Sequence, residues 1–266
     1  MINESLNRAF AAHNAGDIAT ASQGYQAVLR ATPGHAIAHS LLALVQQQTV
    51  MARMSKHAAL ANLKAQGFLP GTVLDVGAQT GTSPLFEIFP DAHHVLFEPV
   101  AECEPHLRAL CSRLKSAEYH MAAVTERSGQ VTLTVSGSRQ YSRVVPVPEN
   151  DGAEYRSIPS IALNDICSRR NFRGPFLIKI DVDGFEIDVL KGASALVGKD
   201  SVFVVEATLC DGDPRFPKIM DFFRPYDFVL HDIIDPLFRP ADGALWQVDV
   251  IMVHSASSFR KMIAFQ

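Results

Sequence analysis

Two regimes of hydrophobic patterning divide the chain. Residues 2–48 are Ala-rich and contain no β-branched run, and their apolar positions recur at helical spacing. This predicts helices over 3–14 and 18–31, separated by Ala15-Gly16-Asp17, and a third after Pro33-Gly34. A further helix over 51–66 ends at Gly67 and Pro70-Gly71. Beyond it, short apolar runs alternate with amphipathic segments. Strands are expected at 73–77, 93–98, 118–124, 130–135, 176–180 and 201–207, with two more in DFVLHDI and QVDVIMVH. Helices are expected at 82–89, 100–115, in SIALNDICSRR with Ser160 as cap, from Phe185 onward, and at 214–223. Residues 136–158, polar and Pro-containing, read as a long loop. Strands alternating with helices predict an α/β domain with a mostly parallel sheet, and the final pair predicts an antiparallel hairpin. The expected organisation is a helical accessory segment at 1–50 and a main domain at 51–266.

Composition narrows the class. The hydrophobic share is 47%, the charged share 20%, and the net charge −4. Nothing resembles the basic stripe of a nucleic-acid binder, and no run approaches the roughly 18 apolar residues of a membrane span. The four cysteines lack C-x-x-C spacing, and no basic-then-apolar leader opens the chain, so a cytoplasmic protein with reduced thiols is expected. In the helical segment, Gly16, Ala21, Tyr25, Leu29 and Pro33 resemble one tetratricopeptide repeat. A single repeat cannot bury its own apolar face, which implies contact with the main domain, a second copy or a protein partner.

The candidate chemistry lies in three stretches. TVLDVGAQTG at 72–81 reads as a buried strand, a glycine turn and the start of a helix, which brings backbone amides close to a ligand. HHVLFEP follows, and Glu98 stands where an acid can accept hydrogen bonds from both ribose hydroxyls of a nucleoside cofactor. The spacing is not G-x-G-x-x-G, which disfavours a nicotinamide-dependent oxidoreductase. The third stretch, IKIDVDGFEIDVLKGA, ends a buried strand on Asp181 and turns through Asp183 and Gly184; Glu186 is expected to brace that turn. DVDG lacks the acid spacing of a calcium loop. Glu206 and His231 read as ends of further strands, so Gly77, Glu98, Asp181, Glu206 and His231 should share one rim of the sheet. Two acids and a histidine do not define a metal site, so metal ligands stay unassigned and a divalent ion has no positive support. His93-His94 reads as surface, Gln247 and Trp246 as acceptor contacts or core, and Arg139, Tyr141 and Arg143 as loop residues placed to grip an acidic or sugar substrate.

Together VLDVGAQTG, FEP and IKIDVDGFEIDVLKGA resemble the FkbM family of S-adenosylmethionine-dependent methyltransferases, over roughly residues 60–255. The sequence departs from the family pattern at Asp183, where glutamate is usual, and at Met121-Ala122, where an asparagine is usual. The resemblance implies a seven-stranded Rossmann-like class I methyltransferase sheet, S-adenosylmethionine as cofactor, and methyl transfer to a hydroxyl of a sugar, glycan or secondary metabolite. The cofactor set it implies is Asp75, Gly77, Ala78, Gln79, Glu98, Pro99, Ala122 and Asp181; the catalytic candidates are Asp181, Glu206 and His231. A reading of another class remains beside it, a non-catalytic partner-binding module on a methyltransferase scaffold.

Overall fold

The structure is a computed structural model and describes residues 2–135, 143–145, 154–209 and 212–260. It separates into two compact units, Met1–Ala58 and Ala59–Gln266.

In the first unit α1 (Ile2–Asn14), α2 (Ile18–Ala31) and α3 (Ala36–Arg53) pack in sequence order. Asp17 caps α2 by accepting from Thr20 N at 3.1 Å, and Gly16 supplies the left-handed turn before it, φ +79°. The core is small: Ala9, Ala21, Tyr25 and Val45. A Cβ on Gly24 would stand 2.5 Å from that of Ala9, so glycine lets α1 and α2 cross closely. α3 runs unbroken through residue 50. After it, α4 (Lys56–Ala65) leads into the sheet domain.

The large sheet comprises β1 (Thr72–Val76), β2 (His93–Phe97), β3 (Ala117–His120), β8 (Phe176–Ile180), β9 (Val202–Thr208), β10 (Phe228–Phe238) and β11 (Leu245–His254). Among the described residues its order is β10-β11-β9-β8-β1-β2-β3. All neighbours are parallel except β11, which runs antiparallel to both β9 and β10. Alternate residues feed opposite faces, as strand geometry requires. Leu74, Val76, Ile178, Ile180, Phe203 and Val205 meet α7 (Leu163–Arg170), α8 (Glu186–Gly192) and α9 (Arg215–Phe223) on one face. Val73, Leu177, Val202 and Val204 meet α4 and α5 (Ser83–Ile88) on the other. A sheet buried on both faces explains the continuous apolar runs. The chain leaves β1 toward β2 and β3, and after α6 (Glu104–Cys111) and the segments that follow β3 it returns to β8 on the other side of β1. That reversal opens a crevice at the carboxyl ends of β1 and β8.

Four expectations change. Residues 118–124 form two strands in different sheets, β3 and β4 (Ala123–Val124), because the chain turns at Met121-Ala122, where Ala122 N bonds back to His120 O at 3.0 Å. Within 136–158, strands β6 (Arg143–Val145) and β7 (Glu154–Ile161) join β5 (Gly129–Val135) and β4 in a four-stranded sheet, order β4-β7-β5-β6. Ser160 does not cap a helix; it is buried in β7 and donates to Arg127 O at 3.2 Å, while α7 starts after Ala162. His94 is buried, not surface, and bonds Phe89 O at 2.9 Å. Arg139 and Tyr141 lie outside the described residues, as does the side chain of Arg143.

Ile178 is fully buried at the centre of the sheet. Ile178→Ala should lower unfolding free energy by about 2–5 kcal/mol, read from a denaturant midpoint at unchanged slope. A loss below about 1 kcal/mol would mean that this strand is not the packed centre.

Candidate active site

Local folding at the crevice begins with Gly77, which follows β1. Its φ is +73°, and a Cβ there would lie 1.8 Å from the backbone oxygen of Asp181. Only glycine lets the ends of β1 and β8 approach this closely. Gly77 N and Ala78 N both donate to Phe97 O, at 3.1 and 3.0 Å, which fastens the turn to β2. Gln79, also at positive φ, donates its N–H to Glu98 Oε2 at 2.7 Å, and Val100 N donates to Glu98 Oε1 at 2.9 Å. Glu98 is therefore a buried acid anchored by two amides, each oxygen keeping a lone pair. Burial raises its pKa; those two amides and the charge of Lys179 oppose the rise. On the other side of the turn, Asp75 accepts from Thr82 N at 2.9 Å and Thr82 Oγ1 at 3.0 Å.

The group that ties these parts together is Lys179, in FLIKI, at 3% exposure. Its Nζ donates to Gly77 O at 2.8 Å and Val76 O at 3.4 Å, and lies 3.3 Å from both Asp75 Oδ1 and Asp181 Oδ2. An ammonium this deep survives only if paired. Hydrophobic patterning and motif spacing do not single it out. The available signal was a charge inside an otherwise apolar central strand, which must have partners.

Beyond β8 the backbone turns through Asp183, φ 49°, and Gly184, φ 107°. Glu186 braces the turn by accepting from Gly184 N at 2.7 Å. Its other oxygen faces Arg215 Nε at 3.4 Å, an ionic contact outside hydrogen-bond geometry. Asp181 is 41% exposed and opens into the crevice beside Glu206, which is buried and hydrogen-bonded to it. Two carboxyl groups can share a hydrogen bond only if one carries a proton. Burial, then the hydrogen bond and charge of Asp181, then Asp183 and Asp249, push Glu206 up to about 10. Asp249 stands directly across from Glu206 in the β9–β11 register.

The crevice is a cleft of about 260 Å³. One end is formed by Gln79, Glu98, Pro99 and Val100 with apolar walls from Ala122, Val124 and Leu133; the other by Asp181, Val182, Asp183, Glu206, Leu237 and Gln247. Apolar walls with a few converging polar groups suit a nucleoside-bearing ligand. Of the residues expected at the site, Gly77, Gln79, Glu98, Pro99, Ala122, Asp181 and Glu206 line this cleft. Asp75 and Ala78 do not. Asp75 is beneath the floor, engaged with Thr82 and Lys179, and Ala78 packs against Leu96, Leu107 and Leu110. His231 is not at a strand end, because β10 continues to Phe238 through pairing with β11; it falls at a register shift between Leu230 and Asp232, away from the cleft. Gln247 lines the cleft, whereas Trp246 stacks near Arg239, whose guanidinium carbon is 5.9 Å from the ring centre. Among the described residues, no cluster of three or more His, Cys, Asp or Glu side chains is arranged to hold a metal ion.

A mostly parallel seven-stranded sheet with its antiparallel strand near one edge, a glycine turn after β1 and an acid after β2 define a class I methyltransferase. Residues 75–230 match the methyltransferase FkbM domain, and the chain belongs to that family. It is an S-adenosylmethionine-dependent methyltransferase. It is 23% identical over 176 residues to the 2-O-methyltransferase NoeI of Sinorhizobium fredii, covering 59% of this chain and 72% of that protein. Among solved structures it is similar to precorrin-6y C5,15-methyltransferase from Geobacter metallireducens, with TM-score 0.42 and 9% identity over 75% of this chain and 88% of that one. It is also similar to 1,6-didemethyltoxoflavin-N1-methyltransferase from Burkholderia thailandensis, with TM-score 0.41 and 14% identity over 79% and 83% of the two chains. No helix among the described residues is long and apolar enough to cross a membrane.

The raised Glu206 carboxyl has a consequence for stability. In the folded protein it keeps its proton where the unfolded chain, at the ordinary value of 4.5, has lost it. Its contribution is therefore complete below about pH 4.5 and is lost progressively as pH climbs toward about 10. Glu206→Gln removes this titration, so its stability relative to wild type should rise steadily from about pH 5 to about pH 9 in urea melts. A constant offset across that range would show Glu206 already ionised in the fold.

Proposed function

We propose that the protein is an O-methyltransferase whose acceptor is a hydroxyl of a sugar, glycan or secondary metabolite. The observation that carries this reading is the carboxylate of Asp181, open to the cleft, backed by the Lys179 ammonium and hydrogen-bonded to Glu206, in the same crevice as Glu98. The printed name of the Sinorhizobium relative, a 2-O-methyltransferase, supports an oxygen acceptor. S-adenosylmethionine, when bound, would supply an activated methyl on a sulfonium; as the oxygen–carbon bond forms, the sulfur–carbon bond breaks, S-adenosylhomocysteine leaves, and the acceptor hydroxyl must lose its proton. The donor set fits that cofactor. Glu98 has acceptor capacity left for the two ribose hydroxyls, and Ala122, Val124 and Leu133 offer apolar walls for the base.

In this reading Gly77, Gln79, Glu98, Pro99 and Ala122 form the cofactor end. Asp181 orients the acceptor hydroxyl and takes its proton, an effect of the kind that contributes about 10²–10⁴ in rate. Protonated Glu206 donates to Asp181 and steadies it. The helical stretch drawn at residues 1–50, with its repeat-like spacing, serves as an accessory unit whose exposed Phe10, Ile37 and Leu44 suit a second copy or a protein partner.

Two measurements test the reading. Calorimetry with S-adenosylmethionine should show Glu98→Ala weakened by about 1–3 kcal/mol, the cost of leaving the ribose hydroxyls unpaired; equal affinity would remove Glu98 from the cofactor site. Transfer of labelled methyl to a panel of saccharides and hydroxylated metabolites should then identify an acceptor, on which Asp181→Asn should lower turnover at least about a hundredfold. Normal turnover in that variant would exclude Asp181 as the base.

A further inference from the structure

A carboxylate pair with one proton poses a question that geometry can answer: which oxygen holds it. Asp181 and Glu206 share a hydrogen bond, so at neutral pH one is the anion and the other the acid. If the proton sits on Asp181, that residue cannot accept another. Lys179 breaks the symmetry. It is buried in β8 two residues before Asp181, its ammonium is 3.3 Å from Asp181 Oδ2, and it is held in place by the backbone oxygens of Gly77 and Val76 and by Asp75. We infer that Lys179 is the positioning residue that assigns charge within this pair, holding Asp181 as the carboxylate and leaving the shared proton on Glu206.

The surrounding charges agree with that assignment. Asp183, in the turn after β8, and Asp249, across from Glu206 on β11, are both negative toward Glu206 and favour its protonated form. Glu206 is buried, where a neutral acid is tolerated better than an anion, while Asp181 is open to the cleft. On the β1 side, Asp75 shares the ammonium and also faces His94. After β2, Glu98 feels the same positive charge from further off. From α9, the guanidinium of Arg215 faces Glu186, which braces the turn that carries Asp183. Lys179 thus acts through Asp181 and does not itself line the cleft. A purely structural lysine would tie β1 to β8 without setting the protonation of anything. The inference deepens the O-methyltransferase reading, because it explains how a carboxylate hydrogen-bonded to a second acid stays ready to accept a proton.

The test needs no acceptor. Protein labelled with carbon-13 at the aspartate carboxyls is titrated by NMR, and the Asp181 signal is assigned by its absence in Asp181→Asn. Lys179→Gln keeps a donor for Gly77 O but removes the charge. Its Asp181 midpoint should rise by at least about one pH unit above wild type, the lower end of the effect of an adjacent opposite charge. Coincident midpoints in wild type and a folded Lys179→Gln would overturn the proposal and leave Lys179 a structural tie. If Lys179→Gln does not fold, Asp75→Asn decides: with its other carboxylate gone, the ammonium acts more strongly on Asp181, so the midpoint should fall. An unmoved or raised midpoint there overturns the proposal too. Calorimetry with S-adenosylmethionine on the wild-type sample separates this outcome from the broader reading, since absence of cofactor binding would defeat the latter whatever the titration shows.

Discussion

A buried ammonium is the constraint around which the site is built. Lys179 sits in a strand whose other residues are apolar, so its charge must be met by groups brought to it. Those groups are the carbonyls that end β1 and the carboxylates of Asp75 and Asp181. Breaking such a set by removing one member leaves an uncompensated buried charge, a penalty of about 3–5 kcal/mol for pairs of this kind. The same contacts that satisfy the lysine therefore fix the register of β1 against β8, and with it the position of the glycine turn.

A second constraint is steric. Gly77 brings its backbone against Asp181 O, so the two strand ends that form the crevice cannot separate without losing the hydrogen bond from Asp181 N to Val76 O. Glu98 and Asp75 then hold the following loop from either side, through Gln79 N and Thr82 N. The small sheet completes the walls. Leu133 of β5 and Val124 of β4 reach the cleft, and Arg156 of β7 makes a bidentate contact with Glu102 at 2.8 and 3.0 Å, linking that sheet to the segment just after Glu98. The pair is partly exposed, so its value lies in placement more than in stability.

Most of the sheet domain was legible because its strands are buried on both faces and read as continuous apolar runs punctuated by glycine. Glu98, Asp181 and Glu206 stood out as acids closing such runs, where burial demands a purpose. What escaped the reading did so for identifiable reasons. β6 is only three residues long, and β7 is largely polar with Pro159 inside it, so no periodicity marked them. Asp75 lies one residue from Val76 and looks like a rim acid, yet its side chain turns down toward Lys179, and only the cross-strand register reveals that Asp75 and Lys179 face each other. DFVLHDI read as a strand ending near His231, whereas pairing with β11 carries the strand to Phe238, seven residues past His231. Pattern finds elements; it does not show which buried polar groups have chosen one another.

The most direct test is a crystal structure with S-adenosylhomocysteine. The nucleoside should lie in the cleft between β1 and β8, with both ribose hydroxyls within about 3 Å of the Glu98 carboxylate and the sulfur turned toward the Asp181 end. A nucleoside bound elsewhere, or in this cleft without touching Glu98, would contradict this placement.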